Sequence, residues 1–301
     1  MPVQKQKAWS FAFFYLISIA FINMIHDSII NICQTVENSL KSDIESFFLS
    51  IYPPGHLISH GLEHHKRVWR FAKEIILNTG SMQSNIDQHF VEQLMIACYL
   101  HDTGMAFDHS IKHGVRSRKK AVDYLESRKK NLTEFNKTLE AIEYHDDKDY
   151  SAPYGDNIIL SILSIADDLD AFGFTGIYRY ADIYVRRNIK NSSLGILIRK
   201  NASSRFKNLN SNTFLSSDLK RKHSYRYMIL DSFFEKYNKE LSHYIFGTSS
   251  PSGYCGLIEI ISSCVYSENE NEFSNILLKY SNDPVINWFL NGLISELNNK
   301  E

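Results

Sequence analysis

Apolar residues recur at steps of three and four along most of the first 187 positions, a spacing that restricts the chain to helices with one buried face. In residues 29–50 the pattern includes Ile30, Cys33, Val36 and Leu40. Alternation of the strand type is not convincing before about residue 190. The spacing therefore predicts an all-α fold.

Breaks in this pattern divide the chain into further helices. Residues 87–100 are more densely apolar than an amphipathic helix, which predicts a central, largely buried element. After Tyr180 the periodicity weakens, and a basic, Asn- and Ser-containing stretch at 186–207 is interpreted as a solvated loop. The other predicted helices cover 61–77, 119–128, 135–144, 158–172, 215–246, 254–266 and 270–297. Three regions result: 1–28, a helical domain at 29–187, and a mainly helical extension at 188–301.

Residues 9–25 form an almost unbroken apolar run without a charged side chain, preceded by Lys5 and Lys7. Its seventeen residues are at the short end of what spans a bilayer, for which about 20 are typical. A membrane anchor with cytoplasmic lysines and an apolar leader before Met24 stay open as interpretations. A signal peptide is disfavoured, because no small-x-small cleavage site follows.

Charge and cysteine content exclude several classes of protein. A net charge of −1 argues against bulk electrostatic binding of DNA or RNA. The basic stretch at 186–207 lacks the regular aromatic residues of a single-strand binder, so no specific nucleic acid is expected. The four cysteines form no Cys-x-x-Cys pair and no disulfide framework, which favours a reducing, cytoplasmic location.

Histidines and aspartates occur at four places in the helical region. His64 lies in one predicted helix, and the pair His101-Asp102 closes the apolar run that ends at residue 100. His145 and Asp167 follow at the ends of two later helices. Imidazole and carboxylate together suit a divalent ion, and helices of a bundle can bring such ligands to one inward point. We therefore expect a divalent metal cofactor (Mn, Co, Ni, Fe, Mg or Zn) that polarises a phosphoryl oxygen and supplies hydroxide.

The order His…His-Asp…Asp on successive helices resembles the HD-domain superfamily of metal-dependent phosphohydrolases. Residues 61–69, 97–102 and 166–177 are similar to stretches of a small bacterial branch that includes nucleoside-triphosphate pyrophosphohydrolases, and the resemblance covers roughly residues 37–187. It implies an HD-domain helical bundle, and it implies that the metal ligands are His64, His101, Asp102 and Asp167.

Other residues near these ligands are candidates for catalysis or substrate binding. Arg67 lies one helical turn after His64, where a guanidinium could hold a phosphate bidentately. His145 is a candidate acid, substrate contact or extra ligand, and Asp170 a candidate support for Asp167. The catalytic candidates are therefore Arg67, Asp102, His145 and Asp170.

Three more observations concern the same region. In the resembling branch the residue after the last ligand is commonly basic, whereas here it is Asp168, which we expect to repel an anionic ligand. His109 and His113 follow the His-Asp pair, and His113 with His145 could form a second metal site. Glu63 and His65 are weaker candidates, because neighbours in a helix point elsewhere.

These residues predict a phosphohydrolase in which metal-bound hydroxide attacks the phosphorus of an ester or anhydride, with a nucleotide or similar small phosphorylated compound as substrate. The alternatives are a phosphodiesterase for cyclic or signalling nucleotides, and a non-catalytic module that binds nucleotide or metal. Association with a membrane through residues 9–25 and a homodimer formed by the C-terminal helices are further expectations.

Overall fold

The computed structural model describes a chain that is helical almost throughout, as the periodicity predicts. Helices α1 to α6 are Val3–Ile51, Leu62–Leu77, Gln88–Leu100, His113–Ser127, Asn136–Tyr144 and Ile158–Asp170. Helices α7 to α12 are Gly173–Arg186, Asn191–Ser211, Ser217–Glu240, Gly253–Cys264, Glu270–Lys279 and Pro284–Asn298. Short 3-10 turns cover Ile58–His60, Thr103–Ala106 and Leu132–Phe135, and the described residues include no strand. The all-α prediction is confirmed.

Within the residues that the structure describes, no helix is long and apolar enough to cross a membrane. The apolar run at 9–25 lies, apart from Met24 and Ile25, outside the residues whose side chains are described, so the anchor stays a prediction. The described residues are 3–52, 58–79, 86–107, 113–147, 157–265 and 270–298, without the side chains of 3–23, 270–272 and 274.

Helix α3 lies at the centre of the first six helices. It contacts α1, α2, α4, α5 and α6, and every side chain from Leu94 to Leu100 is buried. A helix that is apolar on every face is stable only when neighbouring helices cover each face. This packing therefore accounts for the dense apolar content of α3. Because α3 is held on all sides, its C-terminal residue is fixed deep inside the bundle.

The basic stretch at 186–207 is not a solvated loop. It forms most of α8, and the residues that bury this helix are Leu194, Ile198, Ala202 and Leu209. Asn and Ser disfavour helix interiors, so local composition hid an apolar stripe with steps of four, four and seven residues. Helix α8 packs against α6 and α9, which carries it to the functional half of the molecule.

The C-terminal helices share one apolar core with the first seven. This core runs from Ile29 on α1 to Leu290 on α12, and α7 packs against α9, α10 and α12. The predicted boundary after residue 187 falls in the turn between α7 and α8. The predicted helix at 270–297 is two helices, because Asp283 and Pro284 begin a new one.

Candidate metal centre

Five of the predicted residues meet at the ends of three helices. His64 lies in the first turn of α2, His101 caps the C-terminal end of α3, and Asp102 follows it. Asp167 and Asp170 lie in the last turn of α6. All five side chains are buried. Charged groups at this depth require compensating partners, so their convergence indicates a site that binds opposite charge.

The imidazole rings of His64 and His101 face each other, with their Nε2 atoms 3.2 Å apart. Nδ1 of His101 lies 3.0 Å from the carbonyl oxygen of Cys98, and Nδ1 of His64 lies 2.8 Å from a carboxylate oxygen of Asp170. Both neighbours are acceptors, so we infer that each ring carries hydrogen on Nδ1 and that a neutral ring presents its Nε2 lone pair. Facing lone pairs repel, and a cation between them turns this repulsion into binding.

An oxygen of Asp102 and these two nitrogen atoms make up a first group of possible metal ligands. Oδ2 of Asp102 lies 3.5 Å from Nε2 of His64 and 3.4 Å from Nε2 of His101, and Oδ1 of Asp167 lies 3.8 Å from Nε2 of His64. Ligand atoms about 2.0–2.2 Å from one ion lie roughly 3.0–3.5 Å from each other. The spacing of His64, His101 and Asp102 therefore fits a divalent ion, whereas Asp167 lies outside this group of three.

The other oxygen of Asp102 faces a second group. Its Oδ1 atom lies 3.1 Å from Nε2 of His113 and 3.0 Å from Nε2 of His145, and these two nitrogens are 3.3 Å apart. Nδ1 of His145 donates to the carbonyl oxygen of Ile142 at 2.8 Å, which leaves Nε2 as the inward-facing atom. Asp102 thus lies between two groups of three ligand atoms, each with the spacing that a metal ion requires.

Two glycines allow α4 to bring His113 this close. A Cβ atom on Gly104 would collide with the carbonyl oxygen of His113, and one on Gly114 would collide with the carbonyl oxygen of Glu143. The backbone of α4 therefore approaches the 3-10 turn after Asp102 on one side and α5 on the other. The chain is already helical at residue 113, six residues before the predicted start.

The charges around the two groups of possible ligands favour the binding of a cation. Burial would raise the pKa of Asp102, yet His101, His113 and His145 hold that pKa well below its ordinary value. Burial would lower the pKa of His101, and the adjacent carboxylate of Asp102 raises it instead. Burial lowers the pKa of His145. A divalent ion at Nε2 of His101 would replace a proton there, so metal binding is expected to release protons.

Asp170 orients His64 and is held by two arginines. Arg67 donates through Nε to Oδ1 at 2.7 Å and through a terminal nitrogen to Oδ2 at 3.1 Å, and Nη1 of Arg179 lies 3.1 Å from Oδ2. Burial would raise the pKa of Asp170, but Arg67, Arg179 and His64 keep it well below its ordinary value. The geometry favours a positioning role for Arg67, because its guanidinium faces Asp170 and does not line the cavity described below.

Arg179 is a functional candidate that the sequence interpretation missed. Its Nη2 atom lies 3.4 Å from Oδ1 of Asp167, 3.4 Å from Nε2 of His64 and 3.2 Å from Nε2 of His60. Burial and this guanidinium together lower the pKa of His60 well below its ordinary value. The available signal was a lone arginine in the largely apolar run 174–183, since buried arginines are rare without paired acids.

Asp168, which we expected to repel anions, is neutralised from α8. Nη1 of Arg205 lies 2.7 Å from Oδ1 of Asp168 and 3.1 Å from Oδ2 of Asp167, and Asn208 donates to the other oxygen of Asp168 at 3.3 Å. The guanidinium compensates the acidic side chain, so the expected repulsion is reduced.

A cavity of about 290 Å³ opens beside both groups of ligands. A site of this size accommodates a phosphoryl group and adjoining atoms, at the lower end of small-ligand pockets. Its wall combines ligand atoms from the helical bundle with side chains of α7 and α8. The charged and polar lining residues are His60, Asp102, His113, His145, Asp146, Asp167, Arg179, Arg187, Asn201 and Arg205.

Neither Glu63 nor His65 lines the cavity. His109 is outside the described residues. Glu63 is exposed and pairs with Lys66 at 2.8 Å. His65 is buried against Phe48, with Nδ1 facing the carbonyl oxygen of Cys98 at 3.2 Å, and it does not line the cavity.

Comparison with known proteins gives a match to one protein family. Neither the search of curated proteins nor the search of solved structures finds a match to this chain. The family model of the HD domain matches residues 61–172, a range that contains His64, His101, Asp102, His113, His145 and Asp167. Residues 61–172 are therefore an HD domain, the domain of a superfamily of metal-dependent phosphohydrolases.

Proposed function

We propose that the protein is a metal-dependent phosphohydrolase that cleaves a phosphate ester or anhydride, with a nucleotide as the substrate class. The observation that carries this proposal is the position of Asp102, whose two carboxylate oxygens face two separate pairs of histidines. A carboxylate in this position can be shared by two ions, and paired ions act on both oxygens of an in-line displacement at phosphorus.

The chain's own residues have distinct roles in this proposal. His64, His101, Asp102 and Asp167 hold the first ion, and Asp102, His113 and His145 hold the second. A divalent ion bound there supplies Lewis acidity toward a phosphoryl oxygen and lowers the pKa of water. The donor set contains four imidazoles, which favours Mn, Fe, Co, Ni or Zn over Mg.

Arg179 and Arg67 have different roles in this proposal. Arg179 lines the cavity and lies against Asp167 at 3.4 Å, so its guanidinium is placed to stabilise charge that develops on phosphoryl oxygens. Arg67 acts at a distance, because it fixes Asp170 and through it the ring of His64. His145 serves as a ligand in this arrangement, since its Nε2 atom faces Asp102.

The second group of ligands also favours a more specific candidate, a phosphodiesterase for cyclic or signalling nucleotides. His113 and His145, with Asp102, would hold a second ion, and two ions together would stabilise charge on the attacking and leaving oxygens when a diester is cleaved. The non-catalytic module remains the contrasting hypothesis, and it predicts metal or nucleotide binding without turnover.

The test is release of phosphate, pyrophosphate or nucleoside monophosphate from a panel of nucleotides. The panel includes triphosphates and cyclic mono- and dinucleotides, and the full chain is assayed with each metal in turn. We expect metal-dependent release that Asp102→Asn reduces at least about 1,000-fold, because one substitution weakens both ion sites. Asp218→Asn is the matched control, since its exposed carboxylate pairs with Arg221 at 2.8 Å, outside the residues that line the cavity.

Each outcome of this assay is informative. The product names the bond that is broken, and release from cyclic substrates alone would select the phosphodiesterase. A folded, metal-loaded protein without turnover on any substrate would favour the non-catalytic module. Equal activity of Asp102→Asn and wild type would contradict the proposed role of Asp102.

A further inference from the structure

Helix α8 lies outside the residues that match the HD domain, yet one polar stripe of it faces the metal centre. Asn201, Arg205 and Asn208 follow each other at steps of four and three residues, so they share one face of the helix. This face lies against the end of α6, which carries Asp167 and Asp168.

Arg205 is the central residue of this stripe. A single nitrogen, Nη1, contacts both Asp167 and Asp168, and Nε donates to Oδ1 of Asn201 at 3.0 Å. The hydroxyl of Tyr180 donates to the same Asn201 oxygen at 2.7 Å, which fixes the amide and with it the guanidinium. The side chain of Arg205 is 13% exposed and lines the cavity. A planar guanidinium held in this way is suited to bind an oxyanion.

The balance of charge decides what this arginine can bind. Without an ion, the guanidiniums of Arg67, Arg179 and Arg205 pair with the carboxylates of Asp167, Asp168 and Asp170, and two of these arginines, Arg179 and Arg205, line the cavity. An ion bound to Asp167 takes over part of that neutralisation, so the two guanidiniums then give the cavity an excess of positive charge. An anionic ligand that meets the ion would therefore also be attracted to Arg205.

We propose that α8 is part of the substrate site and that Arg205 contacts the phosphoryl group that the metal centre receives. The proposal rests on the phosphohydrolase function proposed above and extends it, because it assigns an anion-binding residue to the region outside the matched HD domain. Asn201 is a positioning residue for Arg205 in this assignment.

The test uses methylphosphonate, a phosphoryl analogue that resists hydrolysis, so binding is measured without turnover. Manganese affinity is first determined for full-length wild type, Arg205→Gln, Arg205→Lys and Arg199→Gln, and the analogue is then titrated by calorimetry at saturating manganese. Arg199 is the matched control: it lies on the same helix and pairs bidentately with Asp231 at 2.8 and 3.0 Å, outside the residues that line the cavity.

We expect Arg205→Gln to weaken analogue binding roughly 10- to 100-fold, as the loss of a charge-assisted hydrogen bond implies. Arg205→Lys keeps the charge and the pairing with the acids, so its affinity should be intermediate and its folding unimpaired. Arg199→Gln should bind like wild type. A merely structural role would lower the melting temperature of Arg205→Gln and leave analogue affinity unchanged at saturating metal.

Equal analogue affinity in wild type and both Arg205 variants would overturn the inference, as would a metal-loaded wild type that does not bind the analogue. The nucleotide panel separates this failure from failure of the hydrolase. Turnover that persists undiminished in Arg205→Gln refutes the inference alone, whereas Arg205-dependent binding without turnover on any substrate refutes the hydrolase alone.

Discussion

Asp170 offers the sharpest test of the site's construction, through the substitution Asp170→Asn. Its carboxylate is fully buried and accepts from Arg67 and from Nδ1 of His64, while Nη1 of Arg179 lies 3.1 Å from Oδ2. An amide has one acceptor oxygen where the carboxylate has two, so in the variant at least one donor faces an NH₂ group. Two guanidiniums also lose their nearest buried counter-charge.

The expected cost follows from this loss. Removal of one partner of a buried ion pair destabilises a protein by about 3–5 kcal/mol, because the other charge stays buried without compensation. At about 2 °C or more for each kcal/mol, the metal-free protein should melt at least about 6 °C lower. His64 also loses the acceptor that orients its ring, so metal affinity should fall about 10- to 100-fold.

The chain contains a matched control in Asp231→Asn. Asp231 also accepts two hydrogen bonds from one arginine, Arg199, but the side chains of this pair are 26% and 35% exposed. Pairs at the surface contribute about 0–1 kcal/mol, so this variant should melt within about 4 °C of wild type and bind metal normally. Thermal melting and urea unfolding of both variants, with a manganese titration, make the comparison. Equal losses in the two variants would refute the argument from burial.

The same carboxylate predicts how the difference depends on pH. The pKa of Asp170 is held well below the ordinary value of 3.8, so the ionised group stabilises the folded state fully above the unfolded pKa. Below that value the unfolded chain takes up a proton first, and the advantage of wild type over Asp170→Asn should shrink by about 1.4 kcal/mol per pH unit. Urea unfolding at pH 7, 5, 4 and 3 measures this trend, and an advantage that grows on acidification would contradict it.

Two further predictions concern metal stoichiometry and the support of α7. His145→Asn should lower the number of bound ions from two to one, whereas Asp102→Asn should weaken binding at both sites. Elemental analysis after dialysis measures the number of ions, and replacement of the exposed His243 by Asn is the control. Undiminished stoichiometry in His145→Asn would exclude it as a ligand. Glu296→Ala should lower the melting temperature by about 2–8 °C, because Oε2 of Glu296 accepts two hydrogen bonds from Thr175 in the first turn of α7. Glu235→Ala, at the surface, should melt like wild type. Equal melting of these two variants would contradict that support.

Much of the fold was predictable because helices write a local pattern into sequence. Steps of three and four predicted the six helices that form the bundle, and the dense apolar content of 87–100 predicted its central position. Close contacts between helices are not part of that pattern. Gly104 and Gly114 allow the backbone of α4 to approach the 3-10 turn after Asp102 and helix α5, and a spacing of apolar residues does not report such contacts.

The buried histidines and aspartates of the candidate metal centre were predictable for a different reason. A histidine or aspartate at the end of an apolar helix combines burial with polarity, and this combination requires a partner. Arg179 and Arg205 escaped notice because an arginine in a sequence is most often exposed. Their significance depends on α7 and α8 folding back over α6, a contact that the spacing of apolar residues does not report. Arg67 was located correctly beside His64, but its partner, Asp170, is 103 positions away.

Two of the histidines share one local arrangement that links helix termination to metal chemistry. His101 caps α3 and His145 caps α5, and in each case Nδ1 faces the carbonyl oxygen of the residue three positions earlier. The last carbonyl groups of a helix have no amide partner within it, so a histidine at this position satisfies one of them. The same hydrogen bond fixes the tautomer and directs Nε2 inward. A histidine held in this way needs no separate carboxylate to orient its ring. His64 differs, because it lies in the first turn of its helix and is oriented by Asp170.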